Sequence, residues 1–166
     1  MMEKPVSIHG LAMDPKNNTP ILLLKEEGVE RALPVWIGVY EANAIATSLA
    51  GMESPRPMTH DLLYATITRA GYGVSKVVIT ELKETTFYAA IFLSSDKGEV
   101  KLDSRPSDAV ALAVRSDAPI FVMEEVLDQS AVDMSTIEED SASSEKDEWL
   151  EMLENMDPED YSKYKM

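Results

Sequence analysis

Residues 103–122 read DSRPSDAVALAVRSDAPIFV, a polar cluster followed by two apolar runs. Pro106 fits the first turn of a helix, because the N–H that proline lacks would have no intrahelical partner there. Residues 109–114 are apolar at every position, so the helix they form should be buried on all sides. Residues 119–123 then have the composition of a short strand. The segment therefore predicts a buried helix between two strands.

The sequence before this segment alternates between strand patterns and helix patterns. Apolar alternation on both sides of Gly10 predicts a first strand with a bulge. Thr59 precedes the second helix pattern and suits its N-cap. These patterns predict an α+β fold with mixed, largely antiparallel sheets and three main helices. The further strands are expected at residues 20–24, 32–37, 74–82, 86–93 and 99–102, and the first two helices at residues 40–52 and 60–70.

The last part of the chain differs in composition from the rest. Residues 131–166 contain 12 acidic residues and three lysines. Residues 133–147, rich in serine and acids, are typical of a disordered linker, and residues 149–156 predict a short amphipathic helix. We therefore expect one domain over residues 1–130, followed by an acidic linker and helical tail over residues 131–166.

Composition excludes several classes of protein. The 166 residues contain no cysteine, which excludes disulfides, thiolate metal sites and cysteine nucleophiles. No stretch approaches the roughly 18 apolar residues of a membrane span, and the N-terminus lacks the pattern of a secretory signal, so a cytoplasmic protein is expected. The net charge of −15 repels polyanions, so nucleic acid binding would require a local basic surface or divalent cations. The sequence also lacks the common phosphate-loop, dinucleotide, zinc-protease and serine-hydrolase motifs.

The densest polar cluster, residues 103–108, joins a strand to the start of a helix. Arg105 could hold a phosphate, and Asp103 and Asp108 could hold Mg²⁺ or Mn²⁺ through oxygen ligands. A structural interpretation is almost as good: Ser104 would cap the helix, Asp108 would interact with the helix dipole, and Arg105 would pair with either carboxylate.

A second polar cluster lies at the start of the preceding helix. An imidazole beside a carboxylate, as in His60 and Asp61, suits a general base or a metal ligand. Arg56 lies four residues earlier, and Glu41 begins the first helix. The structural alternative is that both acids are simply favoured by the helix dipole and that His60 lies on the surface or bonds to the backbone.

Four strings in this order resemble the bifunctional nuclease domain family: LPVWIGVYEANAIA at 33–46, PRPMTHDLL at 55–63, TTFYAAIFL at 85–93 and DSRPSDAVALAVRSDAPIFV at 103–122. The resemblance spans roughly residues 5–128. It implies a mixed α/β or α+β fold, self-association, and hydrolysis of DNA and RNA.

Within the shared strings we assign candidate roles by chemistry. The alternative is a non-catalytic oligomeric module that binds a small anion or a protein partner. In the nuclease interpretation, carboxylates hold a divalent metal, His60 activates or orients water, and the arginines stabilise phosphate charge. The candidates are His60, Asp61, Asp103 and Asp108 for catalysis, Arg56, Arg105 and Ser107 for substrate binding, and Glu41, Asp103 and Asp108 for a metal such as Mg²⁺ or Mn²⁺.

Overall fold

The computed structural model describes residues 2–140, with side chains described over residues 2–137. Within them the chain forms eight strands and five helices, and the α+β prediction is confirmed. The strands are β1 (Glu3–Asp14), β2 (Thr19–Glu26), β3 (Arg31–Trp36), β4 (Gly73–Lys83), β5 (Thr86–Ser95), β6 (Gly98–Ser104), β7 (Ile120–Met123) and β8 (Val132–Asp133). The helices are α1 (Val39–Leu49), α2 (Thr59–Arg69), α3 (Pro106–Ser116), α4 (Glu124–Ser130) and α5 (Met134–Asp140).

The strands form one mixed sheet in the order β6-β5-β4-β7-β1-β2-β3-β8. Among residues 2–140, β4 and β7 pair in parallel and the other neighbours pair antiparallel. A parallel pair needs a long crossover connection, and here the crossover contains β5, β6 and α3. The expected bulge in β1 is confirmed by a shift of register between Ile8 and Gly10.

Helix α3 is the buried helix that the sequence predicts. Pro106 occupies its first turn, and each residue from 109 to 113 is almost completely buried. Alanine alternates with Val110 and Leu112 in this run, so neighbouring backbones can approach α3 closely. Helices α1 and α2 pack on α3, which in turn packs on β4 and β5. The starts of the three helices are thereby brought together.

Helix α2 begins differently from the expectation. Met58 is the N-cap and Thr59 is already helical, so the assignment of Thr59 as the cap is wrong. The physical reason lies at the third helical position, where Asp61 Oδ2 accepts a hydrogen bond of 2.9 Å from the backbone N–H of Met58. An acid at this position satisfies the start of the helix from within.

The chain after β7 is more ordered than its composition suggests. Helix α4, strand β8 and helix α5 follow directly, so the linker expected over residues 133–147 is wrong over residues 133–140. The Met134 side chain is buried, and its N–H donates to the carbonyl of Glu30. Asp133 accepts bonds from the N–H and hydroxyl of Ser135, which stabilises the helix start. The amphipathic helix expected over residues 149–156 lies outside the described residues.

Candidate active site

A cleft of about 500 Å³ opens where the three packed helices begin. Its lining comes from helix α1, the loop between α1 and α2, the first turn of α2, and helix α3. The small side chains of α3 allow this convergence, because they let α1 and α2 approach the same stretch of helix. The cleft is therefore a direct product of the packing around α3.

The lining of the cleft includes an imidazole paired with a carboxylate. His60 Nε2 lies 2.8 Å from Asp108 Oδ1, although the two residues are 48 positions apart in the chain. A carboxylate only accepts hydrogen bonds, so Nε2 carries a proton in this contact, and whenever the ring is neutral Nδ1 is its acceptor. The His60 side chain is only 11% exposed. The pair therefore fixes the orientation and the tautomer of the imidazole.

Arg105 extends the pair towards solvent. Its Nε donates to Asp108 Oδ2 at 2.9 Å, and its Nη1 lies 3.1 Å from Glu41 Oε1. These bonds, that to Asp108 first, raise the pKa of Arg105. The side chain is 64% exposed, and a guanidinium carries five N–H donors, so donors remain for a ligand. A continuous chain of contacts runs from Glu41 through Arg105 and Asp108 to His60.

The contacts of Asp108 with His60 and Arg105 lower its pKa. Partial burial is the largest influence and acts to raise it, but the hydrogen bonds from His60 and Arg105, together with their charges, outweigh burial. Asp108 is therefore ionised at neutral pH, as an orienting partner for an imidazole must be.

Gly38 makes room for the carboxylate of Glu41. A Cβ at Gly38 would lie 2.1 Å from Glu41 Oε2, so a larger residue would displace the carboxylate. The φ angle of Gly38 is −74°, which any residue adopts. A side chain at Gly38 would therefore make the flexible Glu41 carboxylate move from its present position.

A second ion pair closes the inner wall of the cleft. Arg115 Nε donates to Asp61 Oδ1 at 2.7 Å, while its other nitrogens donate to the carbonyls of Ala111 and Ala44. Burial is the largest influence on the pKa of Asp61 and acts to raise it, but the bonds from Arg115 and from the Met58 N–H produce a net lowering. With its hydrogen bonds committed to protein acceptors, Arg115 holds the three helices together.

Sequence reasoning missed Arg115, although a signal for it exists. Arg115 follows Asp108 by seven residues, which is two helical turns, so the two side chains lie on the same side of α3. Tyr40, which also lines the cleft, was missed as well. It lies directly before the predicted Glu41.

The structure brings together five of the eight predicted site residues. These five line the cleft: Glu41, His60, Asp61, Arg105 and Asp108. The other three lie outside the lining. Asp103 is exposed on β6, opposite Ala90 of β5, Arg56 is exposed in the loop before α2, and Ser107 is buried in the first turn of α3.

The structural alternatives are resolved in part. Arg105, not Ser104, is the N-cap residue of α3, so the interpretation of Ser104 as the cap is wrong. The Ser104 hydroxyl instead donates to the carbonyl of Arg105 at 2.8 Å. Arg105 does pair with a carboxylate of the cluster, that of Asp108. His60, in turn, is buried rather than on the surface.

The described side chains do not assemble a metal site. Over residues 2–137, no three acidic or histidine side chains converge in a way that could hold a metal ion. Glu41 and Asp108 both contact the guanidinium of Arg105, which occupies the place that a shared metal ion would need. The expected set of Glu41, Asp103 and Asp108 is thus not brought together.

No helix among the described residues is sufficiently long and apolar to span a membrane.

Comparison with known proteins gives the same family as the four sequence strings. Residues 21–135 match the model of the bifunctional nuclease domain. An uncharacterized protein of Mycobacterium tuberculosis is 37% identical over 161 residues, covering 94% of this chain and 96% of that protein. Bifunctional nuclease 1 of Oryza sativa is 30% identical over 105 residues, covering 61% of this chain and 32% of the plant protein. Bifunctional nuclease 2 of Arabidopsis thaliana is 29% identical over 108 residues, covering 63% of this chain and 33% of the plant protein. The chain belongs to the bifunctional nuclease domain family.

Proposed function

We propose that the protein is a nuclease that hydrolyses phosphodiester bonds of DNA and RNA in the cleft. The observation that carries the proposal is the contact of His60 with Asp108, beside the exposed guanidinium of Arg105. An oriented imidazole supplies a general base, and a neighbouring guanidinium supplies charge for a phosphate. The plant relatives bear the name bifunctional nuclease, which supports the same reaction class.

In this mechanism each group has one task. Asp108 holds the imidazole with Nε2 protonated, and Nδ1 of His60 accepts the proton of a water whose oxygen bonds to phosphorus. The phosphorus–oxygen bond to the leaving nucleotide breaks, and the leaving oxygen takes a proton from solvent. Arg105 binds the phosphate through the N–H groups that its carboxylate partners leave available, and it stabilises the charge that develops on the phosphate oxygens. Arg115 and Asp61 keep the helices in register. The described residues form no preassembled site for Mg²⁺ or Mn²⁺, so no step is assigned to a metal.

The electrostatics of the cleft limit affinity for the substrate. Arg105 already contacts two carboxylates, and the chain as a whole has a net charge of −15. A phosphate must therefore compete with Glu41 or Asp108 for the guanidinium. We expect weak binding that divalent cations in solution strengthen by screening the repulsion between protein and substrate.

The test is cleavage of labelled single- and double-stranded DNA and RNA in Mg²⁺, Mn²⁺ or EDTA. Wild type, His60→Gln and Asp108→Asn are purified identically, with Asp96→Asn as a matched control in the exposed β5–β6 turn. We expect the first two variants to lose about 10²- to 10⁴-fold in rate, the usual contribution of a general base, and the control to match wild type. Equal rates in all four proteins would reveal a contaminating nuclease. An absence of cleavage in all of them would overturn the proposed reaction.

One observation favours a second candidate, a non-catalytic module that assembles with copies of itself. Several large apolar side chains of α1 and α2 are exposed, among them Tyr40, Leu49 and Leu62. Contiguous apolar exposure is typical of interaction surfaces, so these side chains are the ones to test. For such a module, His60→Gln would leave function intact, whereas loss of these apolar side chains would abolish assembly. Sedimentation analysis of wild type beside Leu62→Ser measures that assembly directly.

A further inference from the structure

Tyr40 combines high exposure with a position at the cleft. Its side chain is 88% exposed, yet it lines the same cleft as Arg105 and His60. It directly precedes Glu41, the residue that contacts Arg105. A ring this exposed buries little area in the fold, so core packing does not account for it.

Two methionines give the cleft a second apolar contribution. Met52 and Met58, from the loop between α1 and α2, are both exposed and both line the cleft. We call Tyr40, Met52 and Met58 the apolar rim. Methionine side chains are flexible and polarizable, so they adapt to flat aromatic ligands. The cleft therefore joins an apolar rim to a charged centre.

This combination matches the chemistry of a nucleotide. A nucleotide joins a flat ring, which stacks on aromatic side chains, to a phosphate, which a guanidinium binds. A cleft of about 500 Å³ has the size of sites for small organic molecules. In a duplex, both faces of each base are covered by neighbouring bases, so a ring can stack on Tyr40 only if the base is unpaired or extruded.

We propose that the apolar rim is a base-binding subsite in which an unpaired nucleobase stacks on Tyr40. The ligand class is single-stranded nucleic acid, and the identification rests on the proposed function. The subsite places the adjoining phosphate at Arg105 and makes unpaired strands the preferred substrate. Stacking uses the π-face that every base has, so the subsite has little sequence preference.

The test separates the contribution of the bases from that of the phosphates. Binding of a fluorescein-labelled thymidine oligomer is measured by anisotropy in EDTA, beside an abasic oligomer of the same length and charge. Wild type should bind the thymidine oligomer about 5- to 150-fold more tightly, the range that one stacked base contributes. Because both oligomers carry the same phosphates, electrostatic repulsion by the acidic protein affects them equally.

Three variants test the assignment to Tyr40. Tyr40→Ala should lose the preference for the thymidine oligomer, and Tyr40→Phe, which keeps the ring, should retain it. Tyr88→Ala is the matched control, because Tyr88 is an exposed tyrosine of β5 outside the cleft lining. It should also retain the preference. A preference that survives in Tyr40→Ala, or that is absent from wild type, would overturn the subsite.

Failure of the subsite and failure of the proposed function give different results. Cleavage that depends on His60 but is equal for paired and unpaired strands would support the proposed nuclease activity and overturn the subsite. A base preference that depends on Tyr40, without cleavage, would support the subsite and overturn the nuclease. If Tyr40→Ala instead converted an oligomeric wild type into a monomer, without changing the base preference, the ring would contact a second copy and the subsite would be overturned.

Discussion

Arg115, near the end of α3, donates from Nε to Oδ1 of Asp61, in the first turn of α2, across 2.7 Å. Two further bonds from Arg115 reach the carbonyls of Ala111 and Ala44. One side chain thus joins all three helices that form the cleft. The arginine is nearly buried, whereas Asp61 is partly exposed. The position of His60, which directly precedes Asp61, depends on this connection.

Arg115→Ala should destabilise the protein by about 2 to 3 kcal/mol. The loss is below that for a fully buried pair, because water reaches Asp61 and solvates it when its partner is removed. Urea denaturation measures the change in the free energy of unfolding. Arg69→Ala, at an exposed position in the last turn of α2, is the matched control and should change that free energy by less than about 0.5 kcal/mol. Equal losses in both variants would contradict the role given to Arg115.

Asp108 should contribute stability that depends on pH. Its pKa is lowered in the folded protein: burial opposes the shift, and the bonds from His60 and Arg105 outweigh it. A group with a depressed folded pKa stabilises the fold above its unfolded value, which is 3.8 here, and the contribution is lost as pH falls through the folded pKa.

Asp108→Asn should therefore be less stable than wild type by about 1 to 2 kcal/mol at pH 7, and the difference should shrink below about pH 3.8. Urea midpoints at pH 7 and pH 3 measure it. Asp96→Asn provides the comparison for a change of charge at an exposed turn. A difference that stays constant between the two pH values would show that the ionised carboxylate is not the source of the stability.

Local patterns predict most of the strands and the buried helix, because the spacing of apolar residues that defines these elements involves only residues close together in the sequence. The run at residues 109–114 gave α3, and the bulge at Gly10 was expected from broken alternation. The N-cap of α2 is predicted wrongly because two residues could accept hydrogen bonds at the helix start: Thr59 as the cap before the helix, or Asp61 within its first turn. Local chemistry alone did not decide between them.

The assembly of the site could be predicted only in part. Helix starts attract polar side chains, so His60, Arg105 and Asp108 were found from their places in the sequence. The contact between His60 and Asp108 arises from the packing of α2 on α3, which no local pattern encodes. For the same reason Asp103 was expected beside Asp108, although its place on β6 puts it outside the cleft lining.

Met134→Ala tests whether the chain beyond residue 130 packs on the domain. The Met134 side chain is buried, so its truncation should cost about 2 to 3 kcal/mol of the free energy of unfolding, as for other buried methionines. Met52→Ala removes an exposed methionine and should cost less than about 0.5 kcal/mol. Chemical denaturation compares the two variants. A negligible effect at Met134 would favour the disordered linker that the composition suggests.

Two variants, Asp103→Asn and Asp108→Asn, distinguish between two interpretations of the polar cluster at residues 103–108. If both acids act on the substrate, as the sequence predicts, both variants should lose cleavage activity. If the cleft is the site, only Asp108→Asn should lose it, by about 10²- to 10⁴-fold, because the amide cannot stabilise a protonated His60 as the carboxylate does. Asp103 is exposed on β6 outside the cleft lining, so we expect Asp103→Asn to cleave at the wild-type rate. Initial rates on a single-stranded oligonucleotide, with folding checked by circular dichroism, decide between these outcomes. Loss of activity in Asp103→Asn alone would place the chemistry on the strand and not in the cleft.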